Sequence, residues 1–69
     1  MRYSLKAYKN GSFDHEVTGK AKVLPRFYED LKNCTPVNVV QYLKSVSVVF
    51  SDGKYTVVYS VPKMYFKGV

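Results

Sequence analysis

The chain has 69 residues, of which 46% are hydrophobic, so it is expected to form one small domain, residues 1–69, with a minimal core. One cysteine and one histidine exclude an intrachain disulfide and fall short of the four ligands of a structural zinc site. Eleven Lys and Arg against five Asp and Glu give a net charge of +6 and an isoelectric point near 9.6, which favours a polyanionic partner.

The first predicted element is a β-hairpin of residues 2–9 and 12–18 around Asn10 and Gly11. A two-residue Asn10-Gly11 turn is one option, which would place Lys6 opposite His15. The favoured option is a three-residue loop with Gly11 in the left-handed conformation and a bulge, because it separates apolar from charged residues. That register predicts three pairs on the apolar face: Ala7 with Phe13, Leu5 with His15, and Tyr3 with Val17.

A pair of short helices is predicted next. Gly19 to Val23 is interpreted as a linker or strand extension, and Pro25 as the first helical residue, where a missing N–H costs nothing. Asn33 is the predicted stop. Thr35 and Pro36 then favour a second helix that ends near Lys44, since Thr caps a helix and Pro suits its first turn. The predicted inward residues of the two helices are Phe27, Leu31, Val39, Val40 and Leu43.

A second hairpin, Val46 to Val61, carries the strongest local signal in the sequence. Apolar and polar residues alternate on both sides of an Asp52-Gly53 turn. A two-residue turn predicts these pairs: Phe50 with Tyr55, Val48 with Val57, and Val46 with Tyr59. The tail, Met64 to Val69, is an optional fifth, edge strand. The predicted fold is α+β, with two antiparallel hairpins flanking the helical pair in the order ββααββ.

Lysines interleaved with tyrosines are the main functional signal. Lysine contacts phosphate, and aromatic rings stack on bases, so this mixture is typical of nucleic-acid-binding surfaces. Asn and Gln on a helix face can also contact adenine, although a solvated helix face carries the same residue types. The predicted nucleic-acid-binding residues are Lys44, Lys54, Lys63 and Lys67, with Tyr8, Tyr65, Asn38 and Gln41.

No catalytic, cofactor or metal set is predicted, so an enzyme is not expected. Cys34 precedes the predicted second helix, whose N-terminus would favour a thiolate, but nothing brings His15 to it as a base. Glu29 and Asp30 are adjacent on a helix and diverge by about 100°. A structural thiol and paired surface charges are therefore the interpretations of these residues.

The compartment and partners follow from the same composition. A single cysteine suits a reducing compartment, residues 1–9 lack the apolar region of a signal peptide, and no apolar run reaches membrane-spanning length, so a cytoplasmic location is expected. We predict a non-enzymatic nucleic-acid-binding protein with modest sequence preference. Its size and charge suggest an accessory protein of a phage or mobile element.

Two further interactions are considered. The alternative function is a protein-interaction module or inhibitor that docks on an acidic protein. The outward face of the second hairpin is half apolar, because it carries Val49, Thr56 and Val58. A homodimer is one way to cover this face, by sheet-to-sheet or edge-to-edge contact, and a C-terminal helix or the tail folded over it is the alternative.

Overall fold

A computed structural model describes residues 3–66 and shows a five-stranded antiparallel sheet with one α-helix packed on one face. The strand order is β2-β1-β5-β4-β3. The α+β class and both hairpins are therefore confirmed, whereas the predicted helical pair is wrong. The elements are β1 (Ser4–Lys9), β2 (Ser12–Thr18), α1 (Lys20–Asn33), β3 (Asn38–Gln41), β4 (Ser45–Ser51), β5 (Tyr55–Pro62) and a 3-10 turn, η1 (Lys63–Tyr65).

The helix α1 begins five residues earlier than predicted. The N–H groups of Lys22 and Val23 donate to the carbonyl of Gly19, at 3.2 and 2.9 Å, so Pro25 lies inside the helix. Proline there removes one helical hydrogen bond. The early start buries Val23 and Leu24 on the sheet together with Phe27, and this apolar burial outweighs the lost bond. The predicted stop at Asn33 is confirmed.

The predicted second helix is wrong, because Asn38–Gln41 forms the edge strand β3 against β4. The inward spacing of Val39, Val40 and Leu43 was compatible with a helix, but Val39 and Val40 are β-branched and favour strands. Hydrogen bonding to the free edge of β4 decides between the two, and that edge is supplied by tertiary structure.

The first hairpin follows neither predicted register in full. Asn10 and Gly11, with φ of 53° and 82°, make the two-residue turn, so Lys9 lies opposite Ser12. A bulge between Ala7 and Tyr8 then shifts the remaining pairs by one residue. The bulge lies inside the strand rather than at the turn. It keeps His15 and Val17 on the face of Leu5 and Ala7, as in the favoured register, but the predicted pair of Ala7 with Phe13 is wrong, because Phe13 lies opposite Tyr8 on the other face. The observed pairs include Leu5 with Val17, Lys6 with Glu16, and Ala7 with His15.

The second hairpin is shifted by two residues from the predicted register. The carboxylate of Asp52 accepts the backbone N–H groups of Lys54 and Tyr55, at 3.0 and 2.8 Å, and this widens the loop by two residues. A shift of two residues keeps every side chain on its predicted face, since strand periodicity is two. The observed pairs are Phe50 with Val57, Val48 with Tyr59, and Val46 with Val61.

The core lies between α1 and one face of the sheet. Phe27 stacks with Tyr59 at a centroid distance of 5.2 Å, and Phe50 meets Tyr59 edge-on at 5.8 Å. The opposite, open face of the sheet has no described element packed on it. The fully or nearly buried hydrophobic residues are Leu5, Val23, Leu24, Phe27, Val46, Val48, Phe50, Tyr59 and Val61.

The predicted tail strand is not found in the described residues. Lys63–Tyr65 forms the 3-10 turn η1, and residues 67–69 lie outside the described part of the chain. Within residues 3–66, the one helix is too short and too polar to cross a membrane.

Candidate nucleic-acid interface

Positive and negative side chains are distributed differently between the two ends of the sheet. At one end, the turns of both hairpins lie side by side, and we call this the turn end. At the opposite end, α1 starts, β4 starts and β5 finishes. Lysines occur at both ends, whereas most of the acidic residues lie toward the turns. Within residues 3–66, the carboxylates lie on β2 (Asp14, Glu16), on the second half of α1 (Glu29, Asp30) and in the β4–β5 turn (Asp52).

The end opposite the turns carries three lysines from three different elements. The carboxylate nearest to this end along the strands is that of Glu16, which lies two residues before the end of β2 and opposite Lys6. Lys20 opens α1, Lys44 precedes β4 and Lys63 opens η1. The backbone N–H of Lys63 donates to the carbonyl of Lys44 at 3.4 Å, so these two lysines sit side by side. The positive end of the α1 dipole lies here as well. We call Lys20, Lys44, Lys63 and the neighbouring Tyr65 the basic end.

A pair of tyrosines supports the basic end. The rings of Tyr3 and Tyr65 meet edge-on with centroids 5.7 Å apart, and the hydroxyl of Tyr3 donates to the hydroxyl oxygen of Tyr65 at 3.2 Å. This hydrogen bond, and then the nearby Lys20 ammonium, lowers the pKa of Tyr65. The same bond raises the pKa of the donor, Tyr3. Because Tyr65 accepts from Tyr3, its own O–H remains available as a donor.

The turn end also has lysines and an aromatic ring, but it is electrically mixed. Lys9 and Lys54 lie over the ring of Tyr55, at 5.9 and 5.6 Å from its centroid. Each contact has the geometry of a cation–π interaction. The backbone N–H of Tyr55, and then that of Lys54, donates to the Asp52 carboxylate and lowers the pKa of Asp52 in the same turn, which favours its carboxylate form. The positive charge of this end is thus partly cancelled.

A half-open cleft of about 440 Å³ lies next to the turn end, between α1 and strands β1, β2 and β5. Its floor is apolar, and its rim carries opposed charges. His15 contacts Asp14 at 2.7 Å, and the hydroxyl of the buried Tyr59 donates to the carboxylate of Asp30. Burial first, and then this contact with Asp30, raises the pKa of Tyr59. The charged residues that line the cleft are Asp14, His15, Arg26, Glu29 and Asp30.

The structure therefore places the predicted binding residues at two opposite ends of the sheet. Lys44, Lys63 and Tyr65 are brought together at the basic end, although Tyr65 is half-buried against the core rather than fully outward. Lys54 lies at the turn end, about 30 Å away by the length of β5. Tyr8 is also near the turns, where its ring meets Phe13 edge-on. Lys67 lies outside the described residues.

The predicted base-reading helix face is wrong. Asn38 and Gln41 belong to β3 and, being three positions apart on a strand, point to opposite faces of the sheet. The expected position of Cys34 before a helix N-terminus is wrong as well, because Cys34 follows the C-terminus of α1. Cys34 is exposed at that position.

The sequence does not predict Lys20 of the basic end or Tyr3, which supports that end. Lys20 lies in a segment that the sequence favours as a linker, because Pro25 is the predicted start of the helix. Tyr3 is predicted to lie in the core, and its hydrogen bond to Tyr65 spans 62 positions in sequence. A glycine before a run of helix formers, Gly19 before Lys20, Ala21 and Lys22, is the local signal that would have placed the helix start earlier.

Comparison of the chain with protein-family models, with curated proteins and with solved structures finds no match. Inferences about function therefore depend on the geometry and charge of the surfaces described above.

Proposed function

We propose that this protein is a non-enzymatic nucleic-acid-binding domain that holds a phosphate backbone at its basic end. The observation that carries the proposal is that Lys20, Lys44 and Lys63, from three separate elements, lie at one end of the sheet, whereas four of the five described carboxylates (Asp14, Glu29, Asp30 and Asp52) lie toward the turns. A polyanion at this end therefore meets an excess of positive charge.

The contacts expected at the basic end are largely independent of sequence. Lysine ammonium groups pair with phosphate oxygens as point charges, which positions a nucleic acid without reading its bases. The free O–H of Tyr65 adds one hydrogen-bond donor beside them. Modest sequence preference follows, because contacts to phosphate do not distinguish one base from another.

The turn end supports the alternative function, docking on an acidic protein. Tyr55 is about half exposed between two lysines, and tyrosine with flanking cations is typical of protein interfaces. We place this second because Asp52 lies in the same turn. A cytoplasmic accessory role, in a phage or mobile element, remains the proposed setting on grounds of size, charge and single cysteine.

Two charge-matched double variants separate these proposals. Lys44→Gln with Lys63→Gln removes two positive charges from the basic end. Lys9→Gln with Lys54→Gln removes two from the turn end, so both variants have a net charge of +4, which is +6 less 2. Binding is measured by fluorescence anisotropy with labelled single-stranded and duplex DNA and RNA, between about 50 and 200 mM salt.

The salt slope is the decisive readout. Three lysine–phosphate contacts to a single strand predict a log–log slope of about −2, which is roughly a 20-fold loss of affinity over that salt range. The basic-end variant should retain a slope of only about −0.7, or a roughly threefold loss. The turn-end variant should keep the slope of the unaltered protein. Equal effects of the two variants would refute the basic end as the site, and absence of binding at low salt would overturn the function itself.

A further inference from the structure

The outer edge of β3 is unprotected among residues 3–66. No described strand pairs with it. The segment 37–43, Val-Asn-Val-Val-Gln-Tyr-Leu, contains neither a charged residue nor a proline. Five of the nine large hydrophobic residues that are exposed in the described chain belong to this segment: Val37, Val39, Val40, Tyr42 and Leu43. An apolar, uncharged edge is a template for pairing with another strand.

The other edge of the sheet, β2, has the opposite character. It carries Asp14, His15 and Glu16, and a bulge interrupts its pairing with β1. Charges and bulges are the features that keep edge strands from pairing. The two edges of one sheet thus differ in the property that governs association, and this contrast indicates that β3 is an interaction surface.

We propose that the β3 edge pairs with the β3 edge of a second copy of this chain, antiparallel across a two-fold axis. The occupant follows from the edge itself, since an uncharged, apolar strand edge is complementary to a second copy of the same edge. Every copy has a net charge of +6, which opposes association, but segment 37–43 adds no charged side chain of its own to the contact. Pairing about a two-fold axis satisfies both copies with the same surface.

The hydrogen bonds of β3 fix the register of this pairing. The N–H of Tyr42 donates to the carbonyl of Ser45 on β4 at 2.8 Å. Alternation along an antiparallel strand then turns the N–H and C=O groups of Gln41 and Val39 toward the outer edge. A two-fold axis through Val40 pairs Val39 of one copy with Gln41 of the other, twice, and gives four new hydrogen bonds.

The same register also places side chains of the same sheet face opposite each other. A two-fold axis perpendicular to the sheet keeps both helices on the same side, so residues pair only with residues of the same face. Val40 then opposes Val40 on the open face, an apolar pair at the centre of a ten-stranded sheet. Because β3 has only four residues, the interface is small, and the dimer is expected to dissociate readily on dilution.

The test is the oligomeric state measured by sedimentation equilibrium, from about 10 µM to about 1 mM, where small interfaces associate. The unaltered chain should approach twice its mass of 7.9 kDa at high concentration. Higher salt should strengthen this association, because it screens the repulsion between like-charged copies. This direction is opposite to that expected for nucleic-acid binding, so the two proposals fail independently.

Val40→Lys is the decisive variant, and Phe13→Lys on the β2 edge is its matched control. Two lysines facing each other at the axis should raise the dissociation constant at least about 100-fold. The control adds the same charge at an exposed apolar residue and should leave association unchanged. Circular dichroism of both variants establishes that they are folded.

Amide hydrogen exchange supplies a second readout that needs no variant. The N–H groups of Val39 and Gln41 should gain protection as the protein concentration rises. A monomer at every concentration would overturn the proposal. Protection of both amides that does not depend on concentration would also overturn it and would assign the edge to a segment of the same chain.

Discussion

Removing the hydroxyl of Tyr59 tests the link between the helix and the sheet. Tyr59 is 1% exposed, lies on the central strand β5 and donates to Asp30 on α1. Tyr59→Phe keeps the ring that packs on Phe27 and Phe50 and removes only the donor. At neutral pH, the half-buried Asp30 carboxylate loses a charge-assisted hydrogen bond. The free energy of unfolding should fall by about 1.5 kcal/mol, which lowers Tm by roughly 6–12 °C.

The same bond makes the stability of the protein depend on alkaline pH. The pKa of Tyr59 is raised in the folded state, by burial and then by Asp30, above its value of about 10 in the unfolded chain. A raised folded pKa gives stability that is fully present below pH 10 and is lost as pH rises. Tyr59 alone should therefore remove about 1.4 kcal/mol of the free energy of unfolding between pH 9 and pH 11.

Urea denaturation at pH 7, 9, 10 and 11 measures this effect. Lysine deprotonation affects all variants alike, so the difference between the curves isolates Tyr59. The Phe variant should lose about 1.4 kcal/mol less than the unaltered protein between pH 9 and 11. Tyr42→Phe, at a tyrosine that is 56% exposed, should follow the unaltered protein. Parallel curves for Tyr59→Phe and the unaltered protein would refute the reasoning.

Two further substitutions test the local structure. Pro25→Ala should restore the helical N–H that bonds to the Ala21 carbonyl and raise the free energy of unfolding by about 1–3 kcal/mol, with an unchanged m-value in urea. Unchanged or lower stability would show that the ring of Pro25 costs the helix nothing. Asp52→Ala should lower Tm at pH 7, because the loop loses its two hydrogen bonds to the Asp52 carboxylate. The pKa of Asp52 is lowered in the fold, so this difference should shrink as pH falls below about 4, and a constant difference would count against the proposed role.

Local sequence patterns determined the faces of the sheet but not its register. In the second hairpin, Val46, Val48 and Phe50 alternate with serines and Val49, and this period of two assigns the core face correctly. The turn was misjudged because the Asp52 carboxylate can close either a two-residue turn or a wider loop. The predicted register is wrong by two residues, but the assignment of side chains to the two faces of the sheet is still correct, since strand periodicity is two. In the first hairpin, the two-residue turn alone would pair Leu5 with Glu16, and the bulge shifts the pairing by one residue so that Leu5 lies opposite Val17.

Where a short segment fits both a helix and a strand, its secondary structure depends on contacts with distant parts of the chain. Asn38–Gln41 has valines that fit either a helix or a strand, and the free edge of β4 selected the strand. Lys20 to Leu24 are helical because Val23 and Leu24 gain a buried position on the sheet. Neither outcome can be taken from a window of a few residues, because the deciding contacts lie outside it.

From the amino-acid sequence one can predict the net charge of +6, the α+β class, both hairpins and the end of the helix at Asn33. These depend on composition and on contacts between near neighbours. The meeting of Lys20, Lys44 and Lys63 at one end of the sheet, apart from Lys54, arises from tertiary contacts alone. Their meeting depends on β1 pairing with β5, where Ser4 lies opposite Ser60, and on the strand order that follows. Pairing between residues so distant in sequence is selected by the packing of the whole core, so no local pattern encodes it.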